Sequence, residues 1–258
     1  MEIYQAVLLG IIEGITEFLP ISSTFHLIFA EQILGLEQTE FLKFFTVFIQ
    51  AGGILAVLSL YGRELWTNRH LTKKVLLSFI PTAIFGFAFY KLIKGFFFEN
   101  NLLMLAVFMI FGLIFIIYEW LLQKNKQVQT QDIASLSWQQ SLLIGLAQAL
   151  AVLPGVSRAG VVILAMMMLG QKRTEAAKYS FLLAVPTILG TAGFDLLKTQ
   201  ADLQISSQEI LLVGVGFAVS FAVALIVLRW LIRYLQTNSL TIFGYYRLAL
   251  GLILLTLL

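Results

Sequence analysis

The sequence holds no cysteine, four prolines and little charge: Asp, Glu, Lys and Arg make up 12% of its 258 residues. Without cysteine there are no disulfides and no thiolate metal sites, although this identifies no compartment. Soluble domains carry about 25% charged residues, so this chain lacks the polar surface to cover a globule in water. It has instead 59% hydrophobic residues and a mean hydropathy of +0.91. The apolar runs are continuous and of about the 20 residues that cross a bilayer as helix, where a membrane β-barrel would alternate in short segments. An all-α integral membrane protein follows. The net charge of +3 is spread over short loops, which fits membrane topology and speaks against nucleic-acid binding. The N-terminus has no basic region and places Glu2 first, so no cleaved leader is expected.

Two stretches interrupt the apolar pattern. Residues 3–19 read as helix, carry Glu13 and Glu17, and stop at Pro20; residues 25–35 form a second short piece ending at Gly35. Neither spans a hydrocarbon core about 30 Å thick. Together they read as a re-entrant hairpin around a polar break, tolerated where protein or a water-filled cavity surrounds it. Spans are expected at 41–61, 75–93 and 102–122, and the polar segment 123–137 should be a surface loop. Residues 138–153 and 159–170 repeat the broken pattern around LPGVSRAG, and spans at 178–197, 209–230 and 241–258 complete the chain. The expectation is one membrane domain over 1–258, with halves 1–122 and 138–258 joined by 123–137. It would hold about six transmembrane helices plus two re-entrant helical hairpins.

The order is itself a repeat. Gly10-Ile-Ile-Glu13, Leu19-Pro20 and Ser23 resemble Gly145-Leu-Ala-Gln148, Leu153-Pro154 and Ser157, with one residue fewer before the second proline; Ile80-Pro81-Thr82 resembles Val185-Pro186-Thr187. Each half ends after an odd number of spans, so the second begins on the opposite face. That is an inverted-topology repeat, which places a site near the midplane where the broken helices meet. Loop charge orients it. One face collects Arg63, Arg69, Lys73, Lys74, Lys124, Lys126, Lys172, Arg173, Lys178, Arg229 and Arg233; the other collects Lys43, Lys91, Lys94, Lys198 and Arg247. The positive-inside rule puts the first set in the cytoplasm, with both termini and the first break toward the outside.

Glu13 and Glu17 are four apart and share one helix face. Two carboxylates in low dielectric repel unless a cation sits between them or one takes a proton. A hard divalent ion, Mg²⁺ or Ca²⁺, suits oxygen ligands and would also receive substrate phosphates. The alternatives are a helix–helix polar contact or a channel lining. Ser22, Ser23, Thr24 and His26 follow. A hydroxyl near Glu17 has a general base beside it; the histidine can attack phosphorus or donate a proton; one serine is explained by helix capping alone. In the second break Gly155 permits an unusual backbone angle, the helix start after it offers N–H groups to an anion, and Arg158 adds bidentate phosphate recognition. Arg158 could equally be a structural ion pair with Glu13 or Glu17. Gln50, heading QAGG, either lines the cavity or marks close helix packing. Glu31 stands alone on an apolar face, His70 reads as solvated, and Asp195, Glu119 and Glu64 read as interfacial.

At these residues the chain resembles the undecaprenyl-diphosphate phosphatase family, the bacitracin-resistance proteins. EGITEFLPISSTFHL is similar to the family pattern EGxTEFLPxSSTGHL, FIQAGGILAV from Phe48 matches a further family stretch, and PGVSRAGVV resembles PGxSRSxxT. The likeness runs along nearly the whole chain. It implies a multi-pass hydrolase of the bacterial inner membrane that removes the terminal phosphate of undecaprenyl diphosphate on the outer face. That reaction recycles the lipid carrier for peptidoglycan synthesis and, on overproduction, confers bacitracin resistance. By motif match, Glu13 and Glu17 would bind metal or act as acid–base groups, Ser23 or His26 would be the nucleophile, and Arg158 would hold the diphosphate. Ser22, Thr24, Gly155, Ser157 and Gln50 would line the substrate. The partners implied are the polyprenyl diphosphate, membrane lipids and a second copy in a homodimer.

The chain departs from the pattern at Phe25, which puts a ring where a glycine turn is expected, and at Ala159 and Val162, where the second motif has hydroxyl residues. Two lost donors at about 0.5–1.5 kcal/mol each point to a slower enzyme rather than an inactive one. A polyprenyl-phosphate transporter or flippase and a non-catalytic lipid-phosphate-binding paralogue are the competing readings.

Overall fold

The computed structural model describes residues 1–96, 100–125, 129–199 and 206–256, without the side chains of 90–96 and 195–199. The charges expected at Lys91, Lys94, Lys126, Asp195 and Lys198 therefore lie outside what is described. The described residues form α1 (Ile3–Thr16), α2 (Ser23–Ile33), α3 (Glu40–Thr67), α4 (Arg69–Phe96), α5 (Asn101–Lys124), α6 (Trp138–Ala149), α7 (Arg158–Met168), α8 (Arg173–Thr199), α9 (Ser207–Thr237) and α10 (Thr241–Leu255). Helices α3, α5, α9 and α4 over Arg69–Phe89 are long and apolar enough to cross a membrane; α1, α7 and α10 are shorter apolar helices. This is an all-helical integral membrane protein.

The second long helix begins at Arg69, ahead of the expected 75. Asn68 Oδ1 accepts from Leu71 N at 3.1 Å and caps it, so the basic residues that read as a loop form its first turns. The segment 129–137 is pinned at Gln131. Gln131 N donates to Gly170 O and Lys172 N to Gln131 O, while Ile133 and Leu136 are buried.

Twice in the chain a pair of short helices flanks a buried loop and three further helices follow. The first short helix of each set packs on the fourth helix of the other: α1 on α9, and α6 on α4. Glycine makes both approaches possible. A Cβ on Gly10 would lie 2.7 Å from Gly216 O, and one on Gly145 would lie 2.3 Å from Ser78 O.

The structure corrects two details of the repeat. Ser22 and Ser157 both precede a helix, α2 and α7, and both have positive φ, 68° and 76°. Gly10 to Ser22 and Gly145 to Ser157 are equal in length, so no residue is missing from the second half and only the proline is displaced. Arg158, not Ser157, therefore corresponds to Ser23. The tripeptides around Pro81 and Pro186 do not correspond, because one lies in α4, fourth of its set, and the other in α8, third of its set.

At one end of the molecule the tips of α3, α5, α8 and the α9–α10 turn are tied together. Glu119 accepts from Arg173 at 2.5 and 3.0 Å and from Leu240 N at 2.9 Å, and Lys178 pairs with Glu64 at 2.6 Å. Glu119 is thus fully buried rather than interfacial, because its partners come from remote segments that converge on the end of α5.

Candidate active site between two buried breaks

α1 ends at Thr16, whose hydroxyl turns back onto Ile12 O at 2.7 Å, and Glu17 N still closes a helical turn on Glu13 O. Glu13 and Glu17 therefore lie one turn apart at the mouth of the first break, as the spacing predicts. Ser23 opens α2 and donates its hydroxyl to Glu17 Oε2 at 2.5 Å. The other Glu17 oxygen accepts from Arg158 Nη2 at 3.0 Å. Arg158 opens α7 and is anchored by a second bond from Nη1 to Ser180 O at 2.9 Å. A hydroxyl, a carboxylate and a guanidinium from the two breaks are so joined in one buried chain. Only 6% of the Glu17 side chain and 12% of the Arg158 side chain are exposed. Such an ion pair tolerates burial only with good geometry and further hydrogen bonds, which Ser23 and Ser180 O supply.

Gly155 holds the second break at φ 94°, and a Cβ there would lie 2.7 Å from Met104 O, so both angle and space demand glycine. Ser157 Oγ caps α7 by accepting from Gly160 N at 3.2 Å. Ser22 makes no such side-chain cap; its carbonyl accepts from His26 Nδ1 at 2.8 Å. Because a carbonyl only accepts, Nδ1 carries the proton in neutral His26. Nε2 then accepts from the Tyr246 hydroxyl at 2.7 Å.

Glu13 is fully buried and no donor reaches either of its oxygens. Arg158 Nε likewise has no acceptor. No three of His, Asp and Glu converge on a common point among the described residues; Glu13 and Glu17 are the carboxylates at the first break. One or two carboxylates completed by substrate phosphates is the usual donor set of a magnesium site, and the free oxygens of Glu13 fit that role.

The remaining expected residues divide. Thr24 is half-buried in the first turn of α2, and Gln50 is half-buried on α3 with no hydrogen bond to Glu17, Ser23 or Arg158. The glycines after Gln50 do serve packing: a Cβ on Gly52 would lie 2.5 Å from Phe217 O. Phe25 is not in a turn. It lies inside α2, fully buried, its ring stacked 3.9 Å from that of Phe108, so the ring fills the space between α2 and α5. Val162 is fully buried in the main apolar cluster and Ala159 is 1% exposed. Arg247, assigned to a loop by the charge count, is fully buried instead.

Three features escaped the sequence. Tyr246 and Arg247 bring α10 against the breaks; the available signal was an arginine inside an apolar run, with Gly244 and Gly251 beside it. Gln148, which corresponds to Glu13, donates to both Thr82 Oγ1 at 2.8 Å and Thr187 Oγ1 at 3.2 Å. The two similar tripeptides thus meet at one side chain although their helices do not correspond. An apolar cavity of about 560 Å³ runs beside His26 between α1 and α2 on one side and α9 and α10 on the other, with Ile12, Leu19, Phe25, Trp230 and Tyr246 in its wall.

These features define a polytopic membrane protein with an acid–hydroxyl–guanidinium site assembled from two buried helix breaks. The chain belongs to the bacitracin resistance protein BacA family, whose model matches residues 6–253. It is 43% identical over 250 residues to the undecaprenyl-diphosphatase of Aquifex aeolicus (strain VF5), covering 97% of this chain and 96% of that protein. It is 42% identical over 253 residues to that of Sulfurihydrogenibium sp. (strain YO3AOP1), covering 98% of each. With the undecaprenyl-diphosphatase of Thermus thermophilus it shares 40% over 251 residues, 96% of this chain and 94% of the other.

Proposed function

We propose that this protein hydrolyses undecaprenyl diphosphate to undecaprenyl phosphate and inorganic phosphate, recycling a lipid carrier for peptidoglycan synthesis and so conferring bacitracin resistance. The observation that carries this reading is the Ser23–Glu17–Arg158 chain, which puts a nucleophile on a base and the base on a phosphate-binding cation. The names of the relatives support it.

In this reading Glu17 takes the Ser23 proton as Oγ bonds to the terminal phosphorus. The bond from that phosphorus to the bridging oxygen breaks, and undecaprenyl phosphate leaves with the oxygen and its electron pair. Water then attacks the phosphorus of the phosphoserine, the phosphorus–Oγ bond breaks with its electron pair on Oγ, Ser23 recovers its proton from Glu17, and both water protons leave on the departing phosphate. Ser23 is favoured over His26 as nucleophile because it is bonded to a carboxylate, whereas the His26 lone pair is engaged by Tyr246. His26 is left to serve the leaving oxygen. Arg158, with its free Nε, the start of α7 at Ser157, the Gly155 loop, Ser22 and Thr24 would surround the diphosphate, with Gln50 at the periphery. Glu13 with Glu17 would hold Mg²⁺ or Ca²⁺, which supplies charge neutralisation for the phosphate oxygens. The prenyl chain would lie in the apolar cavity beside His26.

The same reading takes the chain as a single domain of two inverted halves, with six spans and two re-entrant hairpins, in the bacterial inner membrane and with its site toward the outside. The exchanged packing of α1 on α9 and α6 on α4 supports the repeat; it is also what favours transport of the polyprenyl phosphate as a second reading. Homodimerisation is a further expectation, tested by mass in detergent. Purified protein given undecaprenyl or farnesyl diphosphate with Mg²⁺ or Ca²⁺ should release phosphate. EDTA should stop it, and Glu17→Gln and Arg158→Ala should each slow it by about 10²–10⁴-fold. Release no greater than in a protein-free control would sink the phosphatase in favour of transport or simple lipid binding.

A further inference from the structure

Arg247 is used by no step above, yet it is a fully buried cation with no carboxylate partner among the described residues. Its placement depends on glycine. A Cβ on Gly244 would lie 2.6 Å from Gly112 O and one on Gly112 only 2.9 Å from Arg247 Cβ, so α10 and α5 touch backbone to backbone here. That contact lets the arginine, one turn beyond Gly244, reach past α5 to the loops behind it. Nε donates to Phe108 O at 2.8 Å, Nη1 to Pro20 O at 3.1 Å and to Val156 O at 3.2 Å, and Nη2 to Gly155 O. The rings of Phe108 and Phe115 lie over the guanidinium at 4.6 and 5.4 Å, a low-dielectric setting that favours a cation over aromatic faces.

The acceptors decide the interpretation. Pro20 belongs to the first break, Gly155 and Val156 to the second, and their carbonyls lie outside any helix. In a membrane interior such groups must find donors inside the protein. Pro20 lies just ahead of Ser23, and only Ser157 separates Val156 from Arg158. Moving these carbonyls therefore moves the hydroxyl and the guanidinium that meet on Glu17. A contact that merely packed α10 on α5 would need no charge, since the glycines already make it. Lysine could not substitute, because a single ammonium cannot present a planar fork to acceptors on separate segments.

We propose that Arg247 is a positioning residue: its guanidinium clamps the two breaks to each other and so sets the register in which Ser23, Glu17 and Arg158 converge. As a role in turnover this rests on the phosphatase reading; as a clamp it does not.

The test is Arg247→Lys, purified in detergent and compared with the wild type by hydrogen exchange and by phosphate release from undecaprenyl diphosphate. Peptides covering Phe18–Thr24 and Val152–Ala159 should both exchange faster, by about tenfold or more, while those in α1 and α9 stay protected. In the kinetic assay kcat should fall about 10²-fold, with KM changed less than about threefold if the diphosphate is still held by Arg158. Wild-type exchange in both breaks, or faster exchange confined to α5 and α10, would overturn the clamp. So would wild-type kcat in the lysine variant. If the lysine variant does not fold, Arg247→Gln carries the same exchange readout. If wild-type protein shows no turnover, the phosphatase reading falls, and the exchange result still decides whether Arg247 holds the breaks together.

Discussion

The two breaks are built alike and equipped differently. Each follows a short helix seated on glycine, each turns at a serine with positive φ, and each opens a second short helix. In the second, Ser157 caps its own helix, and Gln148 gives its amide hydrogens to Thr82 and Thr187. In the first, Ser22 caps nothing through its side chain, Ser23 is bonded to a carboxylate, and Glu13 faces inward with no donor at all. The backbone device is therefore architecture. Both halves leave buried polar atoms without partners, the Glu13 carboxyl oxygens in the first and Gln148 Oε1 and Arg158 Nε in the second, so the chemistry lies in what those atoms are: an acid at the first break, an amide and a cation at the second.

The comparison breaks most sharply if the corresponding side chains are exchanged singly. Glu13→Gln should cut phosphate release by about 10²–10⁴-fold with little change in unfolding temperature, because the amide keeps the size and polarity of the side chain it replaces. Gln148→Glu should behave the other way. The Thr82 and Thr187 hydroxyl protons are already given to Gly145 O and Leu183 O, so a carboxylate at 148 would face oxygen lone pairs. It should lose about 1–3 kcal/mol of stability and keep turnover within a few-fold of wild type. Equal losses of turnover in both variants would mean that the Gln148 cluster takes part in the reaction.

What the sequence made legible follows the same division. Polar residues in an apolar chain stand out, so both breaks, the Glu13–Glu17 face, Ser23, Gly155 and Arg158 could be read before any coordinates. The order of the helices followed from hydropathy, but not the length of every loop, since only Asn68 separates α3 from α4. Contacts between remote segments could not be read. Arg247 counts as a loop charge until the Gly112–Gly244 contact lowers α10 onto the breaks, and Glu119 looks interfacial until Arg173 and Leu240 N reach it. Phe25 looks like a clash in a turn because its stacking partner, Phe108, comes from a distant helix. The residue seemingly missing before Pro154 shows a further limit: motif alignment followed the prolines, whereas the fold aligns the strained serines.

A middle-sized effect should separate the two glycine seats. Gly145→Ala would bring its Cβ to 2.3 Å from Ser78 O and 2.9 Å from the carbon behind it, backbone on backbone, whereas at Gly10 the nearest approach is 2.7 Å to Gly216 O. Overpacking of this kind costs about 1–3 kcal/mol. Gly145→Ala should fall at the upper end and Gly10→Ala at the lower, read as unfolding temperatures in one detergent. The reverse order would show that α6 can slide on α4 more readily than α1 on α9, against the closeness of the two contacts.

The smallest expected effect isolates the serines themselves. A non-glycine residue at φ near 70° stores about 1 kcal/mol or more of backbone strain, and both Ser22 and Ser157 do so. Ser22→Gly releases that strain and loses no side-chain cap, so the protein should gain about 1 kcal/mol. Ser157→Gly releases the same strain but gives up the bond to Gly160 N, a loss of a few tenths of a kcal/mol for a serine-to-glycine cap, and its gain should be smaller. Turnover sharpens the reading, because the Ser22 carbonyl orients His26 at 2.8 Å. If Ser22→Gly stabilises the fold and lowers kcat together, the strain at the first break is held for the sake of that histidine. If it stabilises and leaves kcat alone, the strained serine is an accident of helix geometry shared by both halves.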